Sequence, residues 1–261
     1  MTVGRRRTPV IAWSFALIVV GYLFLPALVV VLFSFTSSPR LSLPIEGLTL
    51  DWYAAALAEP LLAGALRNSI ELALLTAVLA LLLGVPFCFA LARLRARPRG
   101  VLLTASLMPA AVPALVLGVA LALALHALGR PPGLLNAAAG HLIVALPFVV
   151  LTLNARLETF DFAVLEAARD LGASPMRTFR DITLPLIRPT VFGAGLLAMA
   201  LSLDEFVVTW FNIGNETSLP VVVWGLLRRG VSPSINALAT LILVALVVLV
   251  VAGNLAGRRR R

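Results

Sequence analysis

The chain has no lysine, a single cysteine, two histidines and few charges of either sign, and each shortage narrows what it can be. Charged residues are 13% of its 261 positions and hydrophobic ones 61%, with a mean hydropathy of +1.02. Soluble domains run at about 25% charged and about 45–50% apolar, so the composition argues against a water-soluble fold. Cys88 stands alone in an apolar run. It can form no intrachain disulfide and belongs to no CxxC or metal-type cysteine site. The sequence also lacks a nucleophile paired with a base, a phosphate-cradling glycine loop and an HExxH pattern. No catalytic residue is therefore assigned. His126 and His141 are isolated in sequence and read as solvated or packed residues, so no metal site is assigned.

What the chain does have is long apolar runs. A helix needs about 20 residues to cross a hydrocarbon layer of about 30 Å. Uninterrupted stretches predict spans at 10–35, 69–92, 101–128, 134–153, 191–211 and 235–256. The first follows Arg5, Arg6 and Arg7 and resembles a secretory signal, but it is longer than a signal core and lacks an A-x-A cleavage site. It is read as a membrane span, and the fold class as an all-α integral membrane protein with six transmembrane helices.

The formal charge is +9, and all 21 basic residues are arginine. They lie in short segments between apolar runs, a distribution that suits lipid headgroups and leaves no basic domain for nucleic acid. With both termini inside, the inner segments hold 16 arginines and the outer ones, with Arg40, Arg67, Arg130, Arg228 and Arg229, hold five. Positive-inside bias thus predicts N-in, C-in. Trp13, Trp52, Tyr53, Trp210 and Trp224 fall near span ends or in outer loops and read as interfacial anchors. Pro26, Pro86, Pro109, Pro113 and Pro147 can each kink a span. In span five, Gly193, Ala194, Gly195, Ala198 and Ala200 offer small surfaces for helix packing.

The inner segment 154–190 is long, and its grammar is that of two short helices. Thr159 or Asp161 can cap a first helix running to Leu171, with Gly172 just past its end. Ser174 and Pro175 start a second, which Pro185 and Pro189 are expected to close. Phe162, Leu165, Ala168 and Leu171 recur at helical spacing, as on an amphipathic docking element. Five basic and five acidic residues balance there, unlike the basic segments elsewhere, and this suits a protein surface.

Glu166-Ala167-Ala168, three residues, Gly172, nine residues, then Ile182, Leu184 and Pro185 match the EAA motif without a departure. On these residues the chain resembles the permeases of binding-protein-dependent ABC importers. TLDWYAAAL, ALRNS, GHLIVALPFVV, SLDEFVVTWF and SPSINALATL extend the likeness over nearly the whole chain, most to the second permease of spermidine/putrescine-type polyamine importers.

The resemblance implies a type I importer (MetI-like) fold as one permease domain over residues 1–261, in the bacterial inner membrane. It implies that the EAA residues form a loop coupling to an ATPase. It also implies a second homologous permease, an ATPase dimer binding ATP and magnesium, and a periplasmic binding protein that delivers the substrate; no cofactor is expected in this chain.

Two carboxylates, Asp204 and Glu205, lie inside span five. A charge at the centre of a span costs about 2.5–3.5 kcal/mol on insertion scales, so it needs water, a protein partner or a purpose. An acidic site would suit a cationic substrate such as a polyamine, and both residues are substrate-path candidates. Adjacent helical residues point about 100° apart, so the two cannot line one path equally. Bonding to backbone or to a partner permease is the structural alternative, with Asp204 favoured for the path. Glu71, four residues after Arg67, reads as its ion-pair partner. Other small solutes (ferric iron, sulfate, amino acids) are alternative substrates. An ion-coupled secondary transporter is a further alternative, but no internal repeat is present to support it.

Overall fold

The computed structural model describes residues 10–39, 42–228, 230 and 232–258. Arg5, Arg6, Arg7, Arg40, Arg229, Arg259, Arg260 and Arg261, used above for orientation, lie outside the described residues. Among the described residues the fold is helical, with one isolated antiparallel bridge between Thr36 and Leu48. Helices α1 (Val10–Phe33), α2 (Asp51–Leu57) and α3 (Pro60–Ala92) come first. Then follow α4 (Ala96–Leu107), a 3-10 turn (Met108–Ala111), α5 (Ala114–Ala127) and α6 (Leu134–Glu158). After α6 come α7 (Ala163–Asp170), α8 (Pro175–Thr178), a π turn (Phe179–Thr183) and α9 (Leu184–Asp204). The chain ends with α10 (Val207–Asn212), α11 (Leu219–Arg228) and α12 (Pro233–Arg258).

Four helical stretches are long and apolar enough to cross a membrane: Ala12–Phe33, Pro60–Ala92, Leu134–Glu158 and Pro175–Asp204. The predicted third span is bent. Its two halves, Ala96–Ala111 and Ala114–Ala127, meet at 98° and make a fifth crossing only as a pair. Pro109 and Pro113 supply no backbone donor, and Val112, extended at φ −82° and ψ 129°, has the conformation that a following proline favours. Pro26, Pro86 and Pro147 sit inside continuous helices, so two of the five span prolines mark the break. With α12, 26 residues long, the architecture is compatible with six spans.

The chain divides into two compact units, one of residues 1–60 with 223–261 and the other of residues 61–222. In the first, α12 packs against α1 and α2 and buries Ile235, Ala237 and Leu238. Exposed apolar side chains run the length of α1, Trp13, Phe15, Leu23 and Leu28 among them, which is the surface a lipid-facing helix presents. Trp52 and Tyr53 pin the loop after α1. The Trp52 Nε1–H donates to the Thr36 carbonyl at 2.7 Å, and the Tyr53 hydroxyl lies 2.6 Å from Ser34 Oγ.

The second unit is built on α3, α6 and α9. Ala77, Ala80 and Cys88 of α3, Ala145, Val149 and Leu153 of α6, and Ile187, Ala194 and Ala198 of α9 share one core. Small residues set how closely these helices approach. A Cβ on Gly84 would stand 2.9 Å from Val149 Cγ1, and one on Gly195 would stand 3.0 Å from Leu81 Cδ1. Of the small residues predicted to pack in span five, Ala194, Gly195 and Ala198 are buried, while Gly193 and Ala200 face outward.

Candidate functional site

Two places in the second unit concentrate polar residues: the loop between α6 and α9, and a break in the fifth span. In the loop, the Asp161 carboxylate accepts the Ala163 N–H at 3.0 Å and so opens α7, whereas the Thr159 hydroxyl donates back to the Arg156 carbonyl at 3.1 Å. The helix ends in a Schellman turn: Ala173 N–H donates to the Ala168 carbonyl at 3.0 Å and Gly172 N–H to that of Arg169 at 2.8 Å. Gly172 carries the left-handed φ of +84° that this closure needs. Ser174 then caps α8, its hydroxyl accepting the Arg177 N–H at 3.4 Å.

Two expectations for this loop need correction. Leu171 lies off the predicted apolar stripe and is 89% exposed, because α7 ends at Asp170 and the chain has already turned. Pro185 and Pro189 do not close the second helix; both lie within α9, and the path is continuous from Pro175 to Asp204. The π turn makes this possible. Leu184 N–H reaches back five residues to the Phe179 carbonyl, and the widened turn gives the Pro185 ring room where an α turn would crowd it.

The EAA residues divide by exposure. Glu166, Ala167 and Gly172 face outward, and a Cβ on Gly172 would meet nothing within 4 Å. Ala168 is buried, Ile182 and Leu184 are half-buried at the root of α9, and Pro185 is exposed. Glu166, Arg169 and Asp170 have no ion-pair partner among the described residues. Arg99, by contrast, bonds Glu158 at 2.9 Å and Asn154 at 3.2 Å, tying α4 to α6. A cavity of about 370 Å³ opens between α3 and the loop, with Arg93 and Arg169 on an otherwise largely apolar lining. Nothing in the sequence signalled it.

The fifth span is not continuous. It stops at Asp204, with Glu205 extended at ψ 106°, and restarts as α10 at Val207. The two carboxylates part company there because the helix ends between them, not through helical spacing. The Glu205 carboxylate is half-buried and accepts the Val208 N–H at 2.9 Å, capping the restart, while Asp204 is exposed at the end of α9. Behind the break lies a buried polar chain. His141, 2% exposed on α6, has Nδ1 at 2.6 Å from Ser202 Oγ and Nε2 at 2.7 Å from Thr209 Oγ1. The Thr209 hydroxyl donates to the Glu205 carbonyl at 2.6 Å, and Thr76 of α3 lies 3.4 Å from Ser202.

Glycines let α10 sit close to its neighbours. A Cβ on Gly118 of α5 would stand 3.2 Å from Val208 Cα, and one on Gly140 of α6 would strike the Val208 side chain. Asn212 closes α10, its amide donating to the Gly118 and Val208 carbonyls at 3.1 and 2.9 Å. On α3, Asn68 and Ser69 of the ALRNS patch hold the segment after α10. Asn68 Nδ2 donates to the Thr217 carbonyl at 2.9 Å, and Ser69 Oγ accepts the Leu219 N–H at 2.8 Å. Arg67 and Glu71 pair at 2.6 Å, as their spacing predicted.

A family model described as "Binding-protein-dependent transport system inner membrane component" matches residues 80–261, which takes in the loop, the π turn and the break. The chain belongs to that family. This permease is 35% identical over 250 residues to the spermidine/putrescine transport system permease protein PotC of Escherichia coli (strain K12), covering 94% of this chain and 93% of the relative. It is 36% identical to the putrescine transport system permease protein PotI of the same strain, over 89% and 86% of the two chains. In fold, the permease matches a chain in the crystal structure of a bacterial ABC transporter involved in the import of alginate, with a TM-score of 0.73, 17% identity and 98% coverage of both chains. It is thus a multi-pass inner-membrane transport subunit of the ABC importer class, and not an enzyme.

Proposed function

We propose that this permease imports polyamines, spermidine or putrescine, with Asp204 in the substrate path and the loop around α7 as the contact with a separate ATPase. Relatives that share over a third of its residues across most of the chain carry these substrates in their names. The structural observation that carries the reading is the break at Asp204. The last carbonyls of a helix lack intrahelical partners and give its end partial negative charge, which favours a cation by about 0.3–1 kcal/mol at exposed ends. An exposed carboxylate at that end suits an ammonium group that has left its water.

Glu205, engaged with the Val208 N–H, holds the restart of the helix and contributes charge from behind. The coupling role rests on Glu166, Ala167, Ala168, Gly172, Ile182, Leu184 and Pro185. Their outward members leave a small-residue surface with an unpaired carboxylate, flanked by the exposed apolar side chains of Leu171 and Met176. Small residues allow close approach, and Glu166 offers a charge-assisted contact. A second permease, an ATPase dimer holding ATP and magnesium, and a periplasmic binding protein complete the proposed importer. The binding protein does most of the substrate selection.

The test is uptake by cells that carry this permease with its neighbouring gene products and lack other polyamine importers. Labelled spermidine and putrescine are compared with ferric iron, sulfate and amino acids. Saturable uptake of a polyamine supports the proposal. Uptake of one of the others, with none of polyamines, overturns the substrate while leaving the importer class standing.

A further inference from the structure

His141 is the most thoroughly engaged buried titratable group in the second unit, and nothing so far gives it work to do. Both ring nitrogens are bonded, and its partners lie on either side of the break in the fifth span. The bond directions follow from counting hydrogens. Thr209 Oγ1 lies 2.6 Å from the Glu205 carbonyl, which can only accept, so the threonine's one hydrogen goes there. Toward His141 Nε2 the same hydroxyl can then only accept, and Nε2 must carry the ring hydrogen. In a neutral ring Nδ1 is left an acceptor and takes the hydrogen of Ser202 Oγ at 2.6 Å, in preference to the longer 3.4 Å approach of that hydroxyl to Thr76 Oγ1. This is the one neutral arrangement that makes all three short bonds.

The chain therefore runs from Ser202, two residues before Asp204, through the imidazole to Thr209, and on to the carbonyl of Glu205. It grips the broken span at two points, before and after the break. Ser202, His141 and Thr209 are all buried, so loss of the ring would leave the Thr209 hydroxyl with the Glu205 carbonyl alone and Ser202 with only the 3.4 Å approach to Thr76.

We infer that His141 is a positioning residue for transport: by donating from Nε2 to Thr209 and accepting at Nδ1 from Ser202, it fixes the break that presents the Asp204 carboxylate, without itself touching substrate. This rests on the reading of Asp204 as part of the substrate path.

Two variants separate the ring's two bonds from each other. In His141→Gln the amide nitrogen reaches the Nε2 position and keeps the donor toward Thr209, while in His141→Asn the shorter amide reaches only Ser202. Labelled putrescine uptake and binding-protein-stimulated ATP hydrolysis are measured on the assembled importer, normalised to permease content. His141→Gln is expected to keep uptake within about threefold. His141→Asn is expected to lose about tenfold, with stimulated hydrolysis near wild type. Equal loss in both, or no loss in His141→Asn, overturns the assignment.

If His141→Asn does not assemble, Thr209→Val and Thr209→Ser decide the matter, since valine keeps the shape without the hydroxyl and serine restores it. Loss with valine and recovery with serine support the relay; equal behaviour overturns it. The double variant His141→Asn with Asp204→Asn is expected to be no worse than Asp204→Asn alone, because residues that act through one another do not add. Additive losses overturn the link to Asp204. Normal uptake by Asp204→Asn alone overturns the substrate-path reading, and in that case the glutamine and asparagine variants still report whether the relay holds the break.

Discussion

In the loop between α6 and α9, Glu166, Arg169 and Asp170 stand exposed without an ion-pair partner, whereas at the break in the fifth span His141, Ser202, Thr209 and Asn212 are buried and hydrogen-bonded. The loop's backbone is closed locally, by one aspartate cap and one Schellman turn over a dozen residues. The side chains around the break are tied to residues 61 to 94 positions away, drawn from α5, α6, α9 and α10. The proposed docking surface keeps its side chains free and its backbone self-sufficient. The backbone groups freed at the break are met nearby, the Val208 N–H by the Glu205 carboxylate and the Glu205 carbonyl by the Thr209 hydroxyl, and His141 of a neighbouring helix holds that hydroxyl in place.

The largest effect is expected at Gly172. Gly172→Arg forces a side chain onto the proposed docking face and a non-glycine residue into a left-handed φ; loss of both uptake and stimulated ATP hydrolysis, by about a hundredfold, is expected in the purified complex. Gly172→Ala sharpens the cause. The space around its Cβ is empty within this chain, so the backbone alone costs about 1–2 kcal/mol, and retained docking would assign the arginine effect to the partner.

Next comes Asp204→Asn, for which uptake is expected to fall about tenfold or more while the complex assembles and hydrolyses ATP normally. Unchanged uptake would remove the break from the substrate path. Gly84→Val tests packing away from both places: the added atoms meet Val149, and a destabilisation of about 1–3 kcal/mol should appear as a lower melting temperature in detergent. Glu205→Gln is expected to be mild, costing about 0.5–1.5 kcal/mol through a weaker cap at Val208 and leaving uptake within about threefold. Smallest of all is Arg67→Ala, which breaks an exposed ion pair and should leave both uptake and melting unchanged.

How legible each region was in the sequence follows from the same contrast. Asp161, Gly172, Ser174 and Pro175 act on residues two to five places away, so a local pattern of caps and breakers could name them, and the EAA spacing named the family. Leu171 was misread because helical periodicity does not register that the helix has stopped one residue earlier. Pro185 and Pro189 were misread because a π turn, whose extra residue has no compositional mark, carries the helix past them.

Hydropathy could not see the break at Asp204 at all, since a gap of two residues does not interrupt an apolar run. His141 read as a solvated or packed histidine, and the structure packs it. Its meaning lay in hydroxyls 61 and 68 residues away, which no local pattern connects to it.

The π turn that defeated the proline expectation has a mechanical consequence. Because it carries the helix through Pro185, the stretch Pro175–Asp204 is one continuous piece of 30 residues, about 45 Å long at 1.5 Å per residue. Its near end begins three residues beyond Gly172, and its far end is the Asp204 carboxylate. In the proposed importer, a displacement applied beside Gly172, where the ATPase is placed, would travel along this one helical piece to the break, as along a pushrod.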